Sequence, residues 1–127
     1  MIWFTIDLAA RSKKNHRPIF KNARTGKVFL GKDAGLVQYE KDCHLILTAQ
    51  KNRLGMKEPL SGRLHCECVF EFKGKNRADL DNLTTMAWDV CVSAGIIADD
   101  FLIKSCKMEV RYDTGKDRTL IGFEVLN

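Results

Sequence analysis

Ile2, Phe4, Ile6 and Leu8 alternate with Trp3, Thr5 and Asp7 at the start of the chain. A period of two predicts a strand with one buried face. Residues 9–32 are polar and lack apolar periodicity. Within them, Asn22-Ala23-Arg24-Thr25-Gly26 has turn chemistry, and Pro18-Ile19-Phe20 and Val28-Phe29-Leu30 are the arms of a short hairpin. Leu36, Tyr39, Cys43, Ile46 and Leu47 then fall at helical spacing, which predicts a helix from about Asp33 to Lys51 with Asp33 as its cap. Gly55 and Pro59 mark a connection. Leu64, Cys66, Cys68, Phe70 and Phe72 alternate with His65, Glu67, Val69, Glu71 and Lys73, the clearest strand pattern of the chain.

Leu83, Met86, Ala87, Val90 and Ala94 form the apolar stripe of a second helix, Asp81 to Ser93, with Gly95 as its C-terminal stop. A strand from Leu102 to Tyr112 follows, with Cys106, Met108, Val110 and Tyr112 on one face. After the turn at 113–117, Ile121, Phe123 and Val125 are the inward side of a last strand, Thr119 to Leu126. The order β-α-β-α-β-β predicts an α/β (α+β) fold: one domain over residues 1–127, with two helices packed on a mixed sheet. No repeat, linker or low-complexity segment interrupts it.

Composition agrees with a folded domain: 45% of the 127 residues are hydrophobic and 29% charged. The five cysteines, 43, 66, 68, 91 and 106, are odd in number, and Cys66-x-Cys68 is not a zinc or redox spacing. They read as reduced thiols that fill the core. The N-terminus lacks a charged start and a long apolar segment, and no apolar run nears the ~18 residues of a membrane span. A secreted or membrane-spanning protein is therefore not expected, and the cytoplasm is.

Charge changes the picture more. The formal net charge is +5, but Ala9 to Lys32 holds eight cations and no acid: Arg11, Lys13, Lys14, Arg17, Lys21, Arg24, Lys27 and Lys32. Asp79 to Ile103 holds five aspartates, 79, 81, 89, 99 and 100, and no Lys or Arg. Well-mixed surfaces intersperse the signs. Residues 9–32 are thus expected to be a basic arm or hairpin that holds DNA through its phosphates. Lys73, Lys75 and Arg77 add a second basic turn just before the aspartates.

In an extended stretch, Asp79 and Asp81 would point to one side. Asp81 can also cap the second helix. Asp99 and Asp100 reach them only if the chain doubles back. Converging carboxylates repel, and a divalent cation relieves that repulsion. All-oxygen ligands favour Mg²⁺ (or Mn²⁺) over zinc. Such a site beside a basic surface suits phosphodiester hydrolysis. The plainer alternative is that Asp81 only caps its helix and Asp99-Asp100 is a solvated turn.

Arg77-Ala78-Asp79-Leu80-Asp81-Asn82-Leu83, followed by Gly95-Ile96-Ile97-Ala98-Asp99-Asp100, resembles the core of the RusA-family Holliday junction endonucleases. The stretch Ser12-Lys13-Lys14-Asn15-His16-Arg17 is similar to that family's Asn/Arg-rich N-terminal segment. The resemblance implies a small homodimeric endonuclease that binds four-way or other branched DNA and nicks it with Mg²⁺. It also implies a phage- or mobile-element-encoded protein working in a bacterial host. Asp79, Asp81 and Asp100 would be its catalytic carboxylates and metal ligands, with Asp99 as a fourth ligand or support. Lys13, Lys14, Asn15, Arg17, Lys21, Arg24, Lys27, Lys73, Lys75 and Arg77 would contact the DNA.

The chain departs from the family pattern at three positions. Thr85 stands where the family has a lysine, one helical turn after Asp81. Ala78 replaces a commonly basic residue, and Leu102 a frequent glutamine. The loss of the lysine leaves a second expectation open: a weakened or inactive module that binds junctions.

Overall fold

The computed structural model of the chain describes residues 1–12, 19–30 and 33–127. Its strands are β1 (Ile2–Ile6), β2 (Ile19–Lys21), β3 (Val28–Leu30), β4 (Leu64–Glu71), β5 (Ile103–Arg111) and β6 (Arg118–Val125). Its α-helices are α1 (Ala34–Arg53) and α2 (Leu80–Ser93), and a single 3₁₀ turn, Asp100–Leu102, precedes β5. Four strands form a mixed sheet in the order β1-β6-β4-β5. β4 runs parallel to β5, while β6 is antiparallel to both β4 and β1. β2 and β3 pair only with each other, as an antiparallel hairpin.

The alternation read in the sequence is what builds the core. Leu64, Cys66, Cys68 and Phe70 of β4 lie on one sheet face with Ile121 and Phe123 of β6 and with Phe4 and Ile6 of β1. Leu36, Tyr39, Cys43 and Leu47 of α1 cover this face together with Leu83, Met86, Ala87 and Val90 of α2, in one buried cluster. Asp33 caps α1 as expected, its carboxylate accepting from the Gly35 amide at 2.9 Å. Gly95, at φ 73°, takes the left-handed position that ends α2, where a side chain would be strained.

Three sequence expectations fail locally. Val125 is 50% exposed, because it ends its strand with core on one side only. Cys106 faces the helices by its register beside Cys66 but is exposed, because β5 is the edge of the sheet. Asp79, not Asp81, is the N-cap residue of α2. The other four cysteines are buried free thiols. Burial pushes the Cys43 thiol up to about 11 and raises Cys91 well above the usual thiol value, so both stay protonated at neutral pH.

Parallel neighbours need a crossover, and α2 is that crossover between β4 and β5. It starts beyond the C-terminal end of β4 and runs back to the start of β5. This route decides where the aspartates lie.

Candidate active site

Asp79 and Asp81 sit at the N-terminus of α2, both exposed. Asp79 has extended backbone, φ −90° and ψ 123°, and its carboxylate makes no capping bond. Its Oδ2 instead accepts from the Asn82 side-chain amide at 3.4 Å. Asp81 Oδ1 accepts from the Asn82 backbone N–H at 2.9 Å. Asn82 thus ties the two carboxylates to one frame. Both acids lie at the N-terminal end of α2, where the first helical amides lack intrahelical partners. Leu80, between them, is 38% exposed, so the whole Asp-x-Asp segment faces solvent.

Asp99 and Asp100 lie at the other end of α2, on the turn before β5. Asp99 Oδ1 accepts from the Phe101 amide at 3.0 Å, and this bond holds its carboxyl below the usual range. Asp100 moves the other way. Its hydrogen bond to Asp99 raises it first, then partial burial, then the charges of Asp99 and Asp89. Asp89 is on α2, at i+8 from Asp81 and in line with Thr85 at i+4. Eight residues of helix rise about 12 Å. The carboxylates therefore form two groups, Asp79 with Asp81 and Asp89 with Asp99 and Asp100. Among the described residues, no three His, Cys, Asp or Glu side chains come together closely enough to hold a metal ion. The donors are the hard oxygens that Mg²⁺ prefers, but one chain does not gather them.

Cations flank both groups. Lys73, Lys75 and Arg77 are exposed on the loop that leads into α2, with Lys75 3.8 Å from Asp113. Lys104 stands beside the second group, donating to the Phe101 carbonyl at 2.9 Å and lying 3.8 Å from the centre of its ring. Thr85 supplies no charge, and its hydroxyl is turned back onto the Asp81 carbonyl at 2.9 Å. In the hairpin, Asn22 Oδ1 accepts from the Arg24 and Thr25 amides at 2.9 and 3.4 Å, and Gly26 turns the chain at φ 69°. That turn presents Lys21, Arg24 and Lys27 to solvent. Lys13, Lys14, Asn15 and Arg17 lie outside the described residues.

The sequence did not single out a cleft of about 370 Å³ that reaches Ala78, the residue before Asp79. Arg11, Asp33, Asn76 and Arg77 line it together with Phe72 and Leu83. Arg11 was visible only as one cation among eight. Its approach to the loop before α2 depends on how the start of the chain packs, which periodicity does not report.

No curated protein matches the chain. The family model described as Endodeoxyribonuclease RusA matches residues 10–123, which spans the hairpin, both helices, the Asp-x-Asp segment, the Asp-Asp pair and most of β6. The order of elements and the mixed sheet accord with that match, and the chain belongs to the RusA endodeoxyribonuclease family, the Holliday junction-resolving endonucleases.

Proposed function

We propose that this endonuclease nicks branched DNA, four-way junctions foremost, as a Mg²⁺-dependent homodimer with Asp79, Asp81 and Asp100 as its catalytic carboxylates. The observation that carries this reading is the exposed Asp79-Leu80-Asp81 segment, framed by Asn82 and flanked by Lys73, Lys75 and Arg77. Mg²⁺, when bound, activates water and neutralises charge that builds on the phosphate. The protein's own groups do the rest. Asp79 and Asp81 offer carboxylate oxygens at the start of α2. Asp100, on the turn before β5, offers a third carboxylate. Arg77 and the lysines of its loop hold the phosphate backbone, and the hairpin cations extend that grip. Water oxygen adds to phosphorus as the P–O3′ bond breaks. O3′ takes a proton, leaving a 3′-hydroxyl and a 5′-phosphate.

The separation of the two carboxylate groups along α2 supports the homodimer. A second copy of the chain is the natural source of the ligands that one chain keeps apart. A protein with this substrate works in the cytoplasm of its bacterial host, as a phage or mobile-element product. Among the described residues, no helix is long and apolar enough to cross a membrane.

A synthetic four-way junction incubated with the protein and Mg²⁺ tests the reading. Paired symmetric nicks that disappear in Asp81→Asn are expected. A junction that is retarded on a gel yet stays whole with Mg²⁺ and Mn²⁺ would refute it. Thr85 favours a second reading, a junction binder with weakened catalysis. Thr85→Lys places an ammonium on the face between Asp81 and Asp89. On the second reading it accelerates cutting about a hundredfold or more, the size of one electrostatic donor. An unchanged rate assigns the cationic role to Lys104 or Arg77.

A further inference from the structure

We propose that the cleft beside Asp79 is a nucleotide subsite, which takes one unpaired nucleotide of the branched DNA next to the cut. The proposal rests on the endonuclease reading and adds a binding site to it. Its volume of about 370 Å³ falls within the roughly 300–1,000 Å³ of sites that hold small ligands. Its lining divides by chemistry. Phe72 and Leu83 are the apolar floor, and Phe72 is backed by the Tyr112 ring at 5.9 Å between centroids. The polar lining of the cleft is Arg11, Arg77, Asn76 and Ser12, with one acid, Asp33. A guanidinium matches the oxygens of a phosphate. An amide donates and accepts, as a base edge requires. An apolar floor suits the face of a base. Inorganic phosphate would leave the floor unused. A nucleotide uses all three.

Arg11 leans toward Asp33, which caps α1 and also lines the cleft: its Nη1 is 3.9 Å from Asp33 Oδ2. The guanidinium lies over Gly35, where a Cβ would stand 2.5 Å from Nη1. Ala78 forms one wall, and the next residue is Asp79. A longer side chain at 78 would fill the space. The cleft therefore starts one residue from a proposed catalytic carboxylate. Bases in duplex arms are stacked and paired, and extruding one costs a few kcal/mol. At a branch point that cost is lower. A subsite that must be filled before the phosphate is seated would thus favour branched over linear DNA.

The test uses four-way junctions carrying 2-aminopurine at a branch-point position, bound by protein with Asp81→Asn so that the DNA stays whole. Saturating protein should raise the fluorescence about threefold or more as the base leaves its stack. Adding Ala78→Leu should remove at least about half of that rise while junction affinity stays within about threefold, since the phosphate contacts elsewhere remain. Asn76→Ala, on an exposed loop, should likewise lower the rise when added to Asp81→Asn. If both variants leave the rise intact, or if saturating protein gives no rise, the subsite is refuted while junction binding and cutting stand. If the protein neither binds nor cuts the junction, the endonuclease reading fails and takes the subsite with it.

Discussion

Glu71 shows how much a single charge depends on its partner. It ends β4 on the sheet face away from the helices and is only 8% exposed. Arg118, its register partner on β6, donates Nε to Glu71 Oε1 at 2.6 Å. That bond, reinforced by the charges of Arg118, Arg111 and Lys116, holds the carboxyl below its ordinary value of 4.5. A carboxyl lowered on folding adds stability that is fully present above its unfolded value and is lost as pH falls through its folded one. Glu71→Gln should therefore melt below wild type at pH 7. The gap should shrink to little in acid below the lowered value, where wild-type Glu71 is itself neutral. Thermal melts at several pH values read this directly. A gap that stays constant into acid would mean that shape, not charge, is what Glu71 contributes.

The elements were largely legible because each repeats a local rule. The alternation of Leu64 to Phe72 describes β4 and its buried face, and Asp33 marks the start of α1 to the residue. What could not be read is how the ends of elements meet. Asp79 and Asp100 are both easy to find in the sequence. Only the crossover shows that α2 holds them apart. Periodicity says which way a side chain points, not which end of a helix lies beside which strand.

The edge of β1 is another feature that no local pattern shows. Gln50 of α1 reaches across to it, accepting from the Thr5 amide at 2.9 Å and donating to the Thr5 carbonyl at 2.6 Å. A side-chain amide thus pairs with the sheet edge as a neighbouring strand would. Gln50→Ala leaves both Thr5 groups without that partner. A loss of about 1–3 kcal/mol is expected, together with some self-association through the opened edge. Urea unfolding measures the first and light scattering the second. A variant as stable and as monodisperse as wild type would show that water replaces Gln50 at no cost.

At the scale of the whole molecule, the carboxylates pose a question that one chain does not answer. Asp79 and Asp81 lie at one end of α2, and Asp89, Asp99 and Asp100 at the other, as two separate groups of carboxylates. In a two-fold dimer, the end of one chain's helix can meet the opposite end of its partner's, and each active site would then draw on both chains. This makes a sharp prediction about mixtures. Asp81→Asn and Asp100→Asn should each be inactive alone. When the two are unfolded together and refolded, so that chains exchange, about half of the dimers should be mixed, and each mixed dimer should hold one site with every carboxylate intact. Such a dimer should nick one strand of a junction but fail to make the paired second cut. If each site is instead complete within one chain, both sites of a mixed dimer carry one substitution and the mixture stays dead. The product pattern on a junction labelled on all four strands therefore decides between them. Single nicks that appear only after chain exchange mean the two charge groups meet across the dimer, and no nicks mean they meet within a chain by a movement of α2 or the turn that follows it.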